Sequence, residues 1–206
     1  MAKREAETKT KYGGRLGGLV LRLTGEPQST RAWADGARGE AEVAAWLGVP
    51  GVIVLSDRRV PGTRGNIDHL VLSPAGVFLV DTKNYHGRLR VRDNGWPFGN
   101  ETRLYIGRRD CSHLADNMTW QVRAVQALLT SVGAPYSVTP VLCFLNVDWP
   151  LVSPPDSYRG VRLEGPRSIQ RLISGWPVID PTVIPRLAGT MATAFPPKEP
   201  IDAGRR

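Results

Sequence analysis

The chain has 206 residues, 41% apolar, 22% charged and 7% aromatic, a make-up that suits one well-filled core and excludes wholesale disorder or collagen-like repetition. Lysine and arginine number 27 against 19 aspartates and glutamates, a formal charge of +8, which suits a polyanionic partner, nucleic acid first and anionic lipid second. No apolar run approaches the roughly 20 residues that span a bilayer; the nearest, Leu16-Gly17-Gly18-Leu19-Val20-Leu21, is cut by Arg22 and lacks a signal-peptide cleavage pattern.

In chain order, residues 1–31 carry seven basic side chains (Lys3, Arg4, Lys9, Lys11, Arg15, Arg22, Arg31) against Glu5, Glu7 and Glu26, without helical or strand periodicity. They read as a basic arm. Residues 32–195 read as the folded domain. Its first helix is expected over 33–47, with Ala37, Ala41, Ala44 and Leu47 on the inner stripe, stopped by Pro50-Gly51. A short strand follows at Val52-Ile53-Val54-Leu55. Two more, Ile67 to Leu72 and Val77 to Lys83, are joined by the turn Ser73-Pro74-Ala75-Gly76. Gly87 to Arg109 reads as a further hairpin with Asp93-Asn94-Gly95 as its turn signal. A long helix is expected over 114–132 and a buried strand over 138–147, with shorter helices near 167–174 and 181–194. Pro196 onward reads as a tail. The sum is an α/β chain, a mixed sheet flanked by helices.

Two cysteines, Cys111 and Cys143, form no CxxC pair, so they are expected as reduced thiols of a soluble cytoplasmic protein. The three histidines, His69, His86 and His113, match no zinc spacing together with Cys111. No P-loop and no G-x-S-x-G elbow is present.

The most informative stretch is Asn66-Ile67-Asp68 followed by Asp81-Thr82-Lys83. Side chains alternate along a strand, so Asp81 and Lys83 share a face, and the hairpin brings Asp68 within reach of Asp81. Two carboxylates and an ammonium at the end of apolar strands are costly without a common partner, and a hard divalent cation would be one. The competing reading is a plain Asp–Lys salt bridge with Asp68 capping a turn. Glu40 lies four residues before Ala44 and Gln121 lies on the line Leu114, Asn117, Gln121, Val125, Leu128, so both are expected to face inward toward that cluster.

The ordered series Gly36-Ala37-Arg38-Gly39-Glu40, Asn66-Ile67-Asp68-His69, Gly76 to Asn84 with Gly87, then Asn117 and Gln121, resembles the nuclease-related domain (NERD) family over about residues 33–147. That family is placed in the PD-(D/E)xK superfamily, so the resemblance implies a restriction-endonuclease-like core and a Mg²⁺-dependent nuclease, Mn²⁺ being a substitute. It implies that Asp68 and Asp81 bind metal, that Lys83 is the catalytic lysine, that Glu40 assists metal or water, and that Gln121 orients water or phosphate. Asp81 stands where many relatives have glutamate, and Asn117-Met118 replaces the family's Asn-Pro.

Arg58, Arg59, Arg64, Arg88, Arg90, Arg92, Arg103, Arg108 and Arg109 fall on the loops and hairpin around this cluster, with Trp96, Phe98 and Tyr105 between them. They are candidates for phosphate contact and base stacking; the competing reading is a solvated hairpin with ordinary cross-strand pairs. The expected substrate is DNA rather than RNA, and a homodimer stays open because cutting both strands of a duplex favours two sites. Rival functions are a catalytically silent nucleic-acid-binding module, an RNA-directed nuclease, and a protein-interaction domain.

Overall fold

The computed structural model describes Val43, residues 46–93 and residues 101–198. The basic arm, Glu40, Trp96, Phe98 and the Asp93-Asn94-Gly95 turn beyond Asp93 lie outside the described residues. Val43, Trp46 and Leu47 are helical. The elements that follow are β1 (Ile53–Arg59), β2 (Asn66–Ser73), β3 (Gly76–Lys83), β4 (Gly87–Asp93), β5 (Thr102–Ile106), β6 (Arg109–Asp110), α1 (His113–Ser131), β7 (Val138–Phe144), β8 (Val147–Asp148), β9 (Ser157–Tyr158), β10 (Val161–Glu164), α2 (Pro166–Ile173) and α3 (Ile184–Ala194).

Ten strands form two mixed sheets, one ordered β1-β2-β3-β7-β10-β9 and the other β6-β5-β4-β8. In the larger, β1, β2 and β3 are an antiparallel meander, while β3, β7 and β10 run parallel. The alternation of side chains sorts this sheet into two apolar faces. Val71, Phe78, Val80, Val141 and Cys143 pack with Val43, Leu47, Ile169 and Ile173. Leu70, Leu72, Leu79, Leu142 and Phe144 pack with Val125 and Leu129 of α1, with Leu187 and Met191 of α3, and with Leu89, Leu104 and Ile106 of the smaller sheet. Each fully buried leucine or isoleucine in these clusters contributes about 1.5–3 kcal/mol of transfer free energy. Helices against two mixed sheets among the described residues give the α/β architecture of a restriction-endonuclease-like core.

The strand expected over 138–147 is divided. β7 stops at Phe144 and the chain crosses at Leu145 and Asn146 into the smaller sheet, where Val147 and Asp148 pair with Gly87 and Arg88. β3 makes the same crossing beside it, through residues 84–86 into β4. The Leu145 N–H donates to the Lys83 carbonyl at 3.0 Å, and Asn146 Nδ2 to Asn84 Oδ1 at 2.7 Å, which ties the two crossings together. Gly87 turns this corner at φ 117°, and a Cβ there would meet the Gly107 backbone at 3.1 Å. β1 is longer than the expected Val52 to Leu55, because polar residues beyond Leu55 still pair with β2. β9 and β10 add to the expected elements; both are short and set among prolines.

Candidate active site

The β2–β3 hairpin closes tightly at Ser73–Gly76 and opens at its other end onto polar residues. The register that sets His69 opposite Val80 places Asp68 opposite Asp81 when continued by one residue. Asp68 Oδ2 accepts a hydrogen bond from the Thr82 N–H at 3.2 Å. Lys83 Nζ donates to Asp81 Oδ1 at 2.5 Å, with Lys83 24% and Asp81 13% exposed in their side chains. Asp81 and Lys83 project from the Leu79 face of β3, the face that α1 covers, and their neighbours in β7 are Leu142 and Phe144.

Burial pushes the Asp81 carboxyl up to about 7. The Lys83 ammonium pulls it back, and Asp68 raises it again through its charge and a side-chain hydrogen bond. Lys83 is itself held above its ordinary value: burial would lower it, but Asp81, then Asp68 and Tyr85, outweigh that. Two carboxyl groups therefore compete for one ammonium in a mostly dry setting.

Gln121 sits at the edge of the buried side of α1, and its Oε1 is buried with no hydrogen-bond partner. Asn117, expected on the same inward line, is exposed. The buried stripe runs through Leu114, Met118, Val125 and Leu129, centred one step further round the helix than a line through Asn117, which the 3.6-residue period then turns to solvent. Trp120, next to Gln121, lies over the backbone of Gly65: a Cβ on Gly65 would come 2.2 Å from its ring. This contact seats the loop leading into Asn66 and Asp68 on α1, and neither residue stands out in the sequence.

His69 is buried and its Nδ1 lies 3.0 Å from Ser56 Oγ, while Nε2 has no partner. Burial lowers its pKa to about 4 against the opposing charges of Asp57 and Asp81, so the ring is neutral at pH 7. It shares the face of Val71, away from Asp68.

Of the candidate phosphate-binding arginines, Arg109 stands over the Tyr85 ring, its guanidinium 5.1 Å from the ring centre, two residues along the chain from Lys83. Arg88, Arg64 and Arg108 are exposed, on β4, in the β1–β2 loop and after β5. Arg58 is half-buried, with Nε enclosed and without a partner. Arg103 is engaged by Glu101 at 2.7 Å and Asp110 at 3.1 Å. Cys111 and Cys143 are free and buried, and no helix among the described residues is long and apolar enough to cross a membrane.

Asp68 and Asp81 offer hard oxygen donors, the donor chemistry that suits Mg²⁺ or Mn²⁺, and the orphaned Gln121 oxygen on α1 is a further hard donor. Among the described residues no three histidine, cysteine, aspartate or glutamate side chains gather at a point; Glu40, the further acid expected here, lies outside them.

The fold is that of a mixed α/β protein with a restriction-endonuclease-like core. The family model described as nuclease-related domain matches residues 35–145, more than half of the chain, and the protein belongs to that family. No curated protein and no solved structure matches it.

Proposed function

We propose that the protein is a metal-dependent nuclease that hydrolyses phosphodiester bonds, with DNA favoured over RNA. The observation that carries this reading is the Asp81–Lys83 ion pair with a second carboxyl group, Asp68, set against Asp81 at the open end of a buried hairpin. Asp68 also accepts from the Thr82 N–H, but its charge and its hydrogen bond to Asp81 add to burial in raising the Asp81 carboxyl, against the pull of Lys83.

In this reading Asp68 and Asp81, joined by Glu40, hold Mg²⁺, with Mn²⁺ as a substitute. When bound, the ion would supply positive charge that favours the ionised Asp81 carboxylate, acidifies water and offsets charge on the phosphate. Lys83 donates to the attacked phosphate oxygen or holds the attacking water in place of its present bond to Asp81, adding fixed positive charge where negative charge develops. Gln121 Oε1, without a partner now, accepts from that water and aims it. Arg109, over the Tyr85 ring, fixes the backbone of the substrate next to the scissile bond. The buried free thiols Cys111 and Cys143 favour a reducing, cytoplasmic setting.

A cleavage assay on labelled duplex DNA, single-stranded DNA and RNA, in Mg²⁺, Mn²⁺ or chelator, tests this. Wild type is expected to cut only with metal, while Asp81→Ala and Asp68→Ala bind but do not cut. Cutting by either variant at the wild-type rate overturns the assignment of the site. Salt-sensitive binding without cutting by any of the three would instead make the protein a nucleic-acid-binding module.

A further inference from the structure

β8 ends at Asp148, and the chain runs through Trp149-Pro150-Leu151-Val152-Ser153-Pro154-Pro155 before reaching β9. At the tip of this loop Leu151 is 100% exposed and Val152 83%. The loop around them is braced. Three prolines fix φ, Ser153 holds the left-handed region at φ 48°, and Trp149 stands edge-on to Phe144 with ring centres 6.5 Å apart. The two apolar side chains are thus presented to water by a stiff support rather than by a slack one.

Beside the tip is a groove of about 540 Å³ lined by Arg88, Arg90 and Arg92 on one side and by Pro150, Ser153 and Pro155 on the other. The arginines alternate along β4, which spaces them about 6.6 Å apart in one line on its outer face. Among the described residues none of the three has an ion-pair partner, in contrast to Arg103 on the adjacent strand. An anionic lipid surface would satisfy the charge, but it is flat, and a concave row of guanidinium groups fits a linear polyanion better. A polynucleotide carries both complements at once: phosphates at regular spacing, and flat apolar base faces a sugar's width away.

We propose that the 149–155 loop is an apolar wedge. The phosphate backbone lies along Arg88, Arg90 and Arg92 while Leu151 and Val152 insert between base pairs and open the stack. The loop follows β8, whose approach is the Leu145–Asn146 crossing hydrogen-bonded to the Lys83 carbonyl, so loop and cluster are joined through adjacent strand ends. This rests on the nucleic-acid reading above and adds a substrate class to it: duplex that must be unstacked beside the cut.

The test uses the full chain in chelator, so that no cleavage intervenes, and a DNA duplex carrying 2-aminopurine, whose fluorescence rises when it is unstacked. Wild type should raise the signal several-fold at saturation. Leu151→Ser/Val152→Ser, which alters only exposed side chains, should keep the wild-type melting temperature and still bind, but leave the signal near that of free duplex. Arg90→Ala/Arg92→Ala should weaken binding and flatten the salt dependence by about one unit of slope for each phosphate left without its guanidinium. Binding by wild type without a fluorescence rise, or an equal rise with the serine variant, overturns the wedge and leaves the nucleic-acid reading standing. No binding by wild type at low salt overturns both. Loss of binding to phosphatidylglycerol vesicles in the serine variant, with no unstacking of DNA by wild type, assigns the loop to lipid instead.

Discussion

Two strands of the large sheet, β3 and β10, each carry opposite charges two residues apart near their carboxyl ends, and the two pairs stand in different surroundings. On β10 the Arg162 guanidinium donates to Glu164 Oε1 from Nε at 3.2 Å and from Nη2 at 2.9 Å, and reaches Asp156 at 3.4 Å from its remaining nitrogen. Glu164 is 4% exposed and doubly bonded. On β3, separated from β10 by β7, Lys83 bonds Asp81 in the same i, i+2 geometry, but Asp68 stands against Asp81 and the carboxyl is pushed up to about 7. The spacing is the same; the third group differs. Each cation has a second carboxyl group in reach, but Asp156 is 75% exposed and bonds the Arg162 cation, whereas Asp68 acts on the buried Asp81 carboxyl itself. The β3 pair is the candidate site because its second acid opposes the first instead of completing the cation's bonds.

The contrast can be broken most strongly at Asp81. Asp81→Asn should lower cleavage about a thousandfold, the scale of losing a transition-state partner. It should also leave thermal stability equal or higher, since it removes a buried charge in conflict with its neighbour. Circular dichroism melting alongside the cleavage assay checks both halves, and a large loss of stability would make Asp81 as structural as Glu164.

Gly87→Ala strikes the corner where β3's crossing meets the small sheet. With φ at 117° and the Gly107 backbone 3.1 Å from the new Cβ, urea denaturation should show a loss of about 1–3 kcal/mol. Glu164→Gln should cost about 1–2 kcal/mol, the loss of a charged hydrogen-bond acceptor tempered by the exposure of the Arg162 head group, while leaving catalysis at the wild-type level. A pH-dependent effect is expected at Cys143, whose thiol burial pushes up to about 12 from 9.0. Its folded form should resist thiol reagents at pH 8 and react once unfolded. Because the folded pKa lies above the unfolded one, its contribution to stability is complete below pH 9 and is lost as pH rises from about 9 to about 12. Urea midpoints measured for wild type and Cys143→Ala across that window should converge.

Much of this is legible in the sequence where a local rule applies. The β2–β3 hairpin follows from alternation and the Ser73–Gly76 turn, and α1 from its apolar period. The juxtaposition of Asp68 with Asp81 follows from the same register. The less legible parts depend on contacts between distant segments. The apolar run from Val138 to Val147 does not announce its crossing at Leu145, because both halves are apolar and only the second sheet pulls the chain across. β9 and β10 are held by pairing with each other and with β7, not by propensity. Asn117 turns outward because a helix line chosen through polar residues need not be the line that packs. The Gly65–Trp120 contact leaves no trace in spacing, although a glycine immediately before the Asn-Ile-Asp motif is a cue to close approach of another group. The Arg162–Glu164 pair does carry a visible signal, a charged i, i+2 doublet within apolar sequence, which spacing alone does not separate from Asp81 and Lys83.

The last consequence concerns the rims of the sheets. Residues 196–198 run along the outer side of β1, where the Arg59 N–H donates to the Pro196 carbonyl at 2.9 Å and the Lys198 N–H to the Asp57 carbonyl at 2.8 Å. Asp57 at φ 51° bends the same margin. The opposite margin, β9, is two residues long, as are β6 and β8 at the two margins of the smaller sheet. Among the described residues no long, flat strand is thus left bare to template another. At these described margins a second copy of the chain would find short or already occupied strand to add to.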